Sequence, residues 1–199
     1  MSDKYSTTEL RVSYGVGRQM GEQLAANSFD GVDPEAVAQG VIDALTGKDS
    51  QVAHKDIEDA FRAMTKRMQD KQAKAGEEFL AANAKRDGIS VTASGLQYEV
   101  ISAGSGAKPT ATSRVKTHYH GTLIDGTVFD SSVQRGQPID FPVNGVIAGW
   151  TEALQLMPVG SKWRLFIPHD LAYGPRGAGE DIPPYSALVF EVELLDIVG

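Results

Sequence analysis

The sequence predicts an α+β protein, in which an all-helical first part is followed by an antiparallel sheet wrapped on one short helix. Two observations support this prediction. Apolar residues recur at helical spacing up to about residue 87, and short alternating runs separated by turn residues follow from residue 88. A single helical stretch interrupts those runs. We therefore expect two domains, residues 1–87 and residues 88–199.

The first two helices are short. Residues 10–26 form a helical stretch that contains several small residues, among them Gly15, Gly17 and Gly21. The second helix begins at Asp33, which can cap free backbone N–H groups, and Pro34 suits its first position. Gly47 is a plausible stop, because glycine readily adopts the left-handed conformation that ends helices.

The third helix is predicted to be long. Between His54 and Lys85 there is no proline, and the only glycine is Gly76. Apolar residues recur there at steps of three and four, or their sums: Ile57, Ala60, Phe61, Met64, Met68, Ala75, Phe79 and Ala82. This single stripe indicates a helix of about 30 residues, which extends about 45 Å.

A helix of this length is difficult for two short helices to bury. The glycines of the first helix allow backbones to approach closely, so we expect residues 1–87 to form a homodimer with the long helix as an arm. A self-contained three-helix bundle with a protruding helix is the alternative.

Strand patterns occupy the second part of the chain. Asp125-Gly126 is a strong hairpin signal between two of the strands, and Pro158 and Gly160 end the one short helix at residues 149–157. The predicted strands include residues 96–100, 115–119, 127–129, 163–167 and 188–195.

Composition excludes several classes of function. The net charge of −7 argues against nucleic-acid binding, which requires neutralisation of phosphates. No apolar run approaches the roughly 20 residues that span a bilayer, so no membrane segment is expected. The polar start at Met1 lacks the apolar region of a secretory signal, and we expect a cytoplasmic protein. The absence of cysteine excludes thiol nucleophiles and disulfides.

Signatures of catalytic chemistry are sparse. His118 and His120 share a strand face, but no spacing places a third metal ligand beside them. A hydrolytic triad of His118, Asp130 and Ser131 lacks a nucleophile elbow. The glycine-rich run 174–179 lacks the lysine of a phosphate-binding loop. We therefore expect neither a metal nor a cofactor.

Aromatic and branched residues are abundant around the turns of the second part. On composition alone they are as consistent with an ordinary hydrophobic core as with a binding pocket, because periodicity does not separate the two. The candidates are Tyr119, Phe129, Phe141, Trp150, Tyr173 and Phe190, with Ile139, Val146, Ile147 and Ile182.

Motifs that occur in a fixed order favour the binding pocket over the ordinary core. They are Val-Lys-Thr-His-Tyr-His-Gly (115–121), Asp-Gly-Thr-Val-Phe-Asp-Ser-Ser (125–132), Val-Ile-Ala-Gly-Trp-Thr-Glu-Ala-Leu (146–154), Met-Pro-Val-Gly-Ser-Lys-Trp (157–163), Leu-Ala-Tyr-Gly (171–174), Ile-Pro-Pro (182–184) and Leu-Val-Phe-Glu-Val-Glu-Leu-Leu (188–195). Over nearly all of residues 94–199 the chain resembles the FKBP family of rapamycin-binding prolyl isomerases. The helical part, with Ser-Tyr-Gly-Val-Gly at 13–17, is similar to the bacterial macrophage-infectivity-potentiator-like branch, whose V-shaped homodimers have intertwined N-terminal helices.

The resemblance implies an FKBP-like sheet and peptidyl-prolyl cis-trans isomerase activity without a covalent intermediate. Its substrates would be proline-containing peptides and unfolded chains, and macrolides like rapamycin would inhibit it. Trp150 would form the pocket floor, Tyr173 and the Ile147 N–H would donate hydrogen bonds, and Asp130 would face the twisting amide. The implied catalytic residues are Tyr119, Asp130, Trp150 and Tyr173, and the substrate-binding residues are Phe129, Ile139, Phe141, Val146, Ile147, Ile182 and Phe190. The alternative is a proline-directed chaperone whose turnover is incidental.

Overall fold

A computed structural model describes residues 3–26, 29 and 31–198. The chain divides into two compact units, Met1–Ala60 and Phe61–Gly199. Its helices are α1 (Thr8–Ala26), α2 (Pro34–Thr46), α3 (His54–Asn83), α4 (Ser132–Arg135) and α5 (Ala148–Leu156). Its strands are β1 (Ile89–Val91), β2 (Gln97–Ser102), β3 (Arg114–Leu123), β4 (Val128–Ser131), β5 (Ile139–Pro142), β6 (Lys162–Ile167) and β7 (Leu188–Ile197). The predicted α+β class is confirmed.

The helix ends follow the expected local chemistry. The Asp33 carboxylate accepts hydrogen bonds from the backbone N–H groups of Glu35 and Ala36 at the start of α2, at 2.8 and 2.9 Å. Gly47 ends α2 in the left-handed conformation, with φ at 67°. No helix in the described ranges combines the length and apolar character needed to cross a bilayer.

Seven antiparallel strands form one sheet in the second unit. The order is β1-β2-β6-β7-β3-β4, and β5 pairs with β3 beside β4. Helix α5 contributes Trp150, Ala153 and Leu154 to the core, where they meet the buried face of the sheet, including Leu165, Leu188 and Val192. This packing places the start of α5 beside the middle of β3.

The second half of α3 belongs to the same unit as the sheet. The Asn83 side-chain amide donates to Oε1 of Gln97 at 2.8 Å, and the Gln97 amide donates to the Leu80 carbonyl at 2.9 Å. Phe79 packs near Phe166, with ring centroids 6.1 Å apart. The predicted boundary between residues 87 and 88 lies between the end of α3 and the start of β1. As a boundary between domains it stays a prediction.

Candidate active site

A cavity of about 620 Å³ opens beside the sheet, with Trp150 at its base. The Trp150 side chain is buried, and three aromatic rings meet its ring nearly edge-on. The centroid distances are 5.4 Å to Tyr119, 5.7 Å to Phe141 and 5.3 Å to Phe190, which are favourable for aromatic pairs. The cavity is lined by Tyr119, Phe129, Asp130, Phe141, Gly145, Val146, Ile147, Trp150, Tyr173, Ala178, Asp181, Ile182 and Phe190.

The aromatic wall depends on a glycine in β3. A Cβ placed on Gly121 would lie 2.7 Å from atoms of both the Phe129 and the Phe190 rings. These two rings meet edge to face at a centroid distance of 5.4 Å. Gly121 therefore leaves the space in which the rings cross the strand.

One edge of the cavity carries a connected polar group. The Tyr119 hydroxyl donates to Oδ2 of Asp130, and the Arg135 guanidinium donates to Oδ1 of Asp130. Arg135 also donates to the Tyr119 hydroxyl at 3.0 Å. Burial opposes ionisation of Asp130, but hydrogen bonds from Tyr119 and Arg135 outweigh it, so the pKa of Asp130 is lowered. Asp130 is therefore ionised at neutral pH, and its charge is paired with the Arg135 guanidinium.

Two donors remain open at the mouth. Within the described part of the chain, neither the Tyr173 hydroxyl nor the Ile147 N–H has a hydrogen-bond partner. Burial, and then the negative charge of Asp130, raise the pKa of Tyr173 above its ordinary value. The Tyr173 phenol therefore keeps its proton and can donate a hydrogen bond to a carbonyl.

The rim segment, residues 174–187, closes one side of the mouth. Ala178 and Ile182 exchange backbone hydrogen bonds at 2.9 and 3.1 Å. Gly177 has a positive φ of 63°, and a Cβ there would lie 2.2 Å from the Ile182 carbonyl oxygen. The rim segment therefore folds back on itself and presents Ile182 to the cavity.

The structure brings together all the predicted site residues except Ile139. Ile139 lies opposite Thr117 in the β3–β5 pairing, two residues before Phe141 on the same strand, and it is not among the residues that line the cavity. Gly145 and Arg135 were not anticipated. No spacing indicates Arg135, because it lies on a four-residue helix that only tertiary folding brings back over Tyr119.

The two histidines of β3 have structural partners. His118 Nδ1 lies 3.1 Å from the Ser132 hydroxyl, and His120 Nδ1 lies 3.0 Å from the Ser131 hydroxyl. Asp130 contacts Tyr119 rather than a histidine, so the geometry does not assemble a hydrolytic triad. In the part of the chain that the structure describes, no group of three or more potential metal-binding side chains comes together.

Comparison with known proteins identifies the family. Residues 105–195 match the model of the FKBP-type peptidyl-prolyl cis-trans isomerase, and residues 9–100 match that of the domain amino terminal to it. The FKBP-type 22 kDa peptidyl-prolyl cis-trans isomerase of Escherichia coli is 55% identical over 201 residues, covering 98% of each chain. The chain belongs to the FKBP-type peptidyl-prolyl cis-trans isomerases.

Two further relatives place this FKBP-type isomerase within the family. The outer membrane protein MIP of Legionella longbeachae is 42% identical over 203 residues, covering 96% of this chain and 87% of that protein. The crystal structure of FkpA from Escherichia coli aligns with a TM-score of 0.72 and 34% identity, covering 97% of this chain and 98% of that chain. The predicted resemblance to the macrophage-infectivity-potentiator-like branch is confirmed, and so is the predicted isomerase function.

Proposed function

We propose that the cavity catalyses rotation about prolyl bonds by removing the amide from water and holding one side of it. The observation that carries this proposal is the aromatic floor around Trp150, with the Tyr173 hydroxyl and the Ile147 N–H at the mouth. Rotation about a peptide bond faces a barrier of about 18–20 kcal/mol because resonance is lost. A twisted amide has less charge separation than a planar one, so an apolar cavity favours the transition state over the ground state.

The polar groups hold the substrate during rotation. The Tyr173 hydroxyl and the Ile147 N–H would donate to carbonyls on either side of the proline, whose ring would rest on Trp150. The Asp130 carboxylate faces the amide as it twists. An acceleration of about 10⁵ requires about 7 kcal/mol, which desolvation and two oriented donors can supply. A protease-coupled assay on a short prolyl peptide, with and without rapamycin, tests both turnover and the proposed macrolide binding.

We propose that the chain forms a homodimer through residues 1–87. The support is the exposure of α1, which buries none of its described residues although Leu10, Tyr14, Met20 and Leu24 are apolar. A groove of about 540 Å³ between α2 and the start of α3 adds further uncovered apolar surface, at Ala36, Val52 and Ile57. Exposed apolar faces of this kind are typical of association surfaces. Sedimentation velocity at micromolar concentration tests the dimer, and a monomer there would contradict it.

A chaperone role is the second candidate. Two pockets in one dimer could hold a single unfolded chain with a gain in avidity. Refolding of a proline-limited protein, compared with turnover of a short peptide, distinguishes the two roles. If a monomeric variant of the full chain loses only the refolding activity, a chaperone role is favoured. If Asp130→Ala loses refolding activity and peptide turnover in parallel, catalysis is favoured.

A cytoplasmic location stays a prediction. Cell fractionation with marker enzymes for cytoplasm and periplasm tests it.

A further inference from the structure

The arm helix α3 contacts the rim segment at the end that lies away from the cavity. The Gln72 side-chain amide donates to the Ser186 hydroxyl at 3.1 Å. That hydroxyl donates in turn to the Pro183 carbonyl at 2.7 Å. Ser186 is buried, so water does not readily replace either bond. A chain of two hydrogen bonds therefore runs from α3 to the residue that follows Ile182.

A second contact lies one helical turn along. Gly76 is buried, and a Cβ placed on it would lie 3.1 Å from Cβ of Ala187. The α3 backbone thus rests directly against the residue that follows Ser186. Since residues four apart lie on the same helix face, Gln72 and Gly76 contact the rim segment together.

The segment between these contacts and the cavity is short and stiff. Only Pro183, Pro184 and Tyr185 separate Ile182 from Ser186. Each proline has its φ fixed by the ring, so the backbone has little freedom to absorb a displacement. At the other end, the backbone N–H and carbonyl of Ile182 both form hydrogen bonds with the backbone of Ala178. A shift at Ser186 is therefore transmitted to two residues that line the cavity.

We propose that Gln72 and Gly76 are positioning residues for substrate binding, acting through Ser186 and Ala187 on Ile182. The proposal rests on the proposed function of the cavity, and it gives α3 a role in the active site as well as in the arm. The floor and the charged edge lie on α5, β3 and β4, which these two residues do not hold. Loosening the contact should therefore weaken substrate binding and leave the chemical step unchanged.

The test uses the full chain and a short prolyl peptide. Gln72→Ala should raise KM about two- to tenfold, as expected for loss of one buried hydrogen bond, with kcat changed by less than about twofold. Lys74→Ala is the matched control, because Lys74 lies on the same turn, is exposed and pairs with Glu78. It should behave as the wild type. An unchanged KM in Gln72→Ala, or a fall in kcat at constant KM, would overturn the proposal.

A double-mutant cycle tests the route. If Gln72 acts through Ser186, the double variant Gln72→Ala with Ser186→Ala should raise KM no more than Ser186→Ala alone. Additive effects would overturn the route. Gly76→Ala should also raise KM, because its methyl group would lie 3.1 Å from Cβ of Ala187 and would displace it. Asp130→Ala is measured on the same peptide: wild-type kcat/KM in that variant would reject the proposed function of the cavity, independently of the Gln72 result.

Discussion

The hydroxyl of Tyr119 donates a hydrogen bond to the Asp130 carboxylate, and so joins the aromatic floor of the cavity to its charged edge. The Tyr119 ring packs edge-on against Trp150, while its oxygen also accepts a hydrogen bond from Arg135. Burial, followed by the hydrogen bond to Asp130, raises the pKa of Tyr119, so the phenol remains a donor. One side chain therefore fixes the position of the carboxylate relative to the floor.

Asp130→Ala should lower kcat/KM on a short prolyl peptide by about ten- to a hundredfold, as expected for loss of a charged hydrogen-bonding group. The far-ultraviolet circular dichroism should stay unchanged, since Asp130 is partly exposed at the cavity edge. Asp140→Ala is the control, because Asp140 lies on the neighbouring strand β5 and does not line the cavity. Equal rates in wild type and Asp130→Ala would reject the assignment.

Arg135→Ala should raise the pKa of Asp130, because the hydrogen bond and the positive charge of Arg135 then no longer oppose the effect of burial. The folded pKa of wild-type Asp130 lies below the ordinary 3.8, so its stabilising effect is present above that value and is lost as pH falls through the folded pKa. Wild-type activity should hold down to about pH 4, and that of Arg135→Ala should decline at higher pH.

Carboxyl carbon chemical shifts of Asp130, followed against pH, measure this change directly. Arg176→Ala removes the same charge from an exposed position on the rim segment and should leave the titration unchanged. Superimposable titrations in wild type and Arg135→Ala would contradict the proposed electrostatic role.

Gly121→Ala should reduce both stability and turnover. The added methyl group would lie 2.7 Å from the Phe129 and Phe190 rings, which must move. Overpacking of this kind costs about 1–3 kcal/mol, and the displaced rings would narrow the cavity. Chemical denaturation and the peptide assay measure the two effects. If neither stability nor turnover changes, the rings accommodate the methyl group and the steric argument is wrong.

Gly17→Leu should weaken the proposed dimer. A Cβ at Gly17 meets nothing within 4 Å in one chain, and the same holds for Gly15 and Gly21. Any effect of the substitution on association must therefore come from a second chain. Sedimentation velocity should show a shift towards monomer, whereas Glu77→Leu on the exposed face of α3 should not. An unchanged sedimentation coefficient in Gly17→Leu would place the dimer contact elsewhere.

Local chemistry was sufficient to predict the longer helices. The cap at Asp33, the stop at Gly47 and the long apolar stripe predicted α2 and α3 to within two residues of their observed ends. Three of the shortest elements, β1, β5 and α4, were not predicted, because three or four residues carry no period. The equally short β4 was predicted from the Asp125-Gly126 turn that precedes it, so a short element needed a turn signal to be predictable.

The cavity could not be derived from periodicity. Its rings come from separate elements, with Tyr119 on β3, Trp150 on α5 and Phe190 on β7, and only the ordered motifs connect them. The same limit applies to Ile139, which shares the apolar character of the wall residues but is not among those that line the cavity. Arg135 was missed because its partners are set by tertiary folding.

The buried pair of Asn83 and Gln97 has a practical consequence for ligand screening. A fragment cut where the pattern changes from helix to strand, near residue 87, would remove Asn83 and Leu80, the two partners of the Gln97 side chain, and would uncover the surface that α3 packs against. The rim segment would lose Gln72 as well. Inhibitor affinities measured on such a fragment would describe a looser mouth than that of the intact chain, so a useful fragment should begin before Gln72.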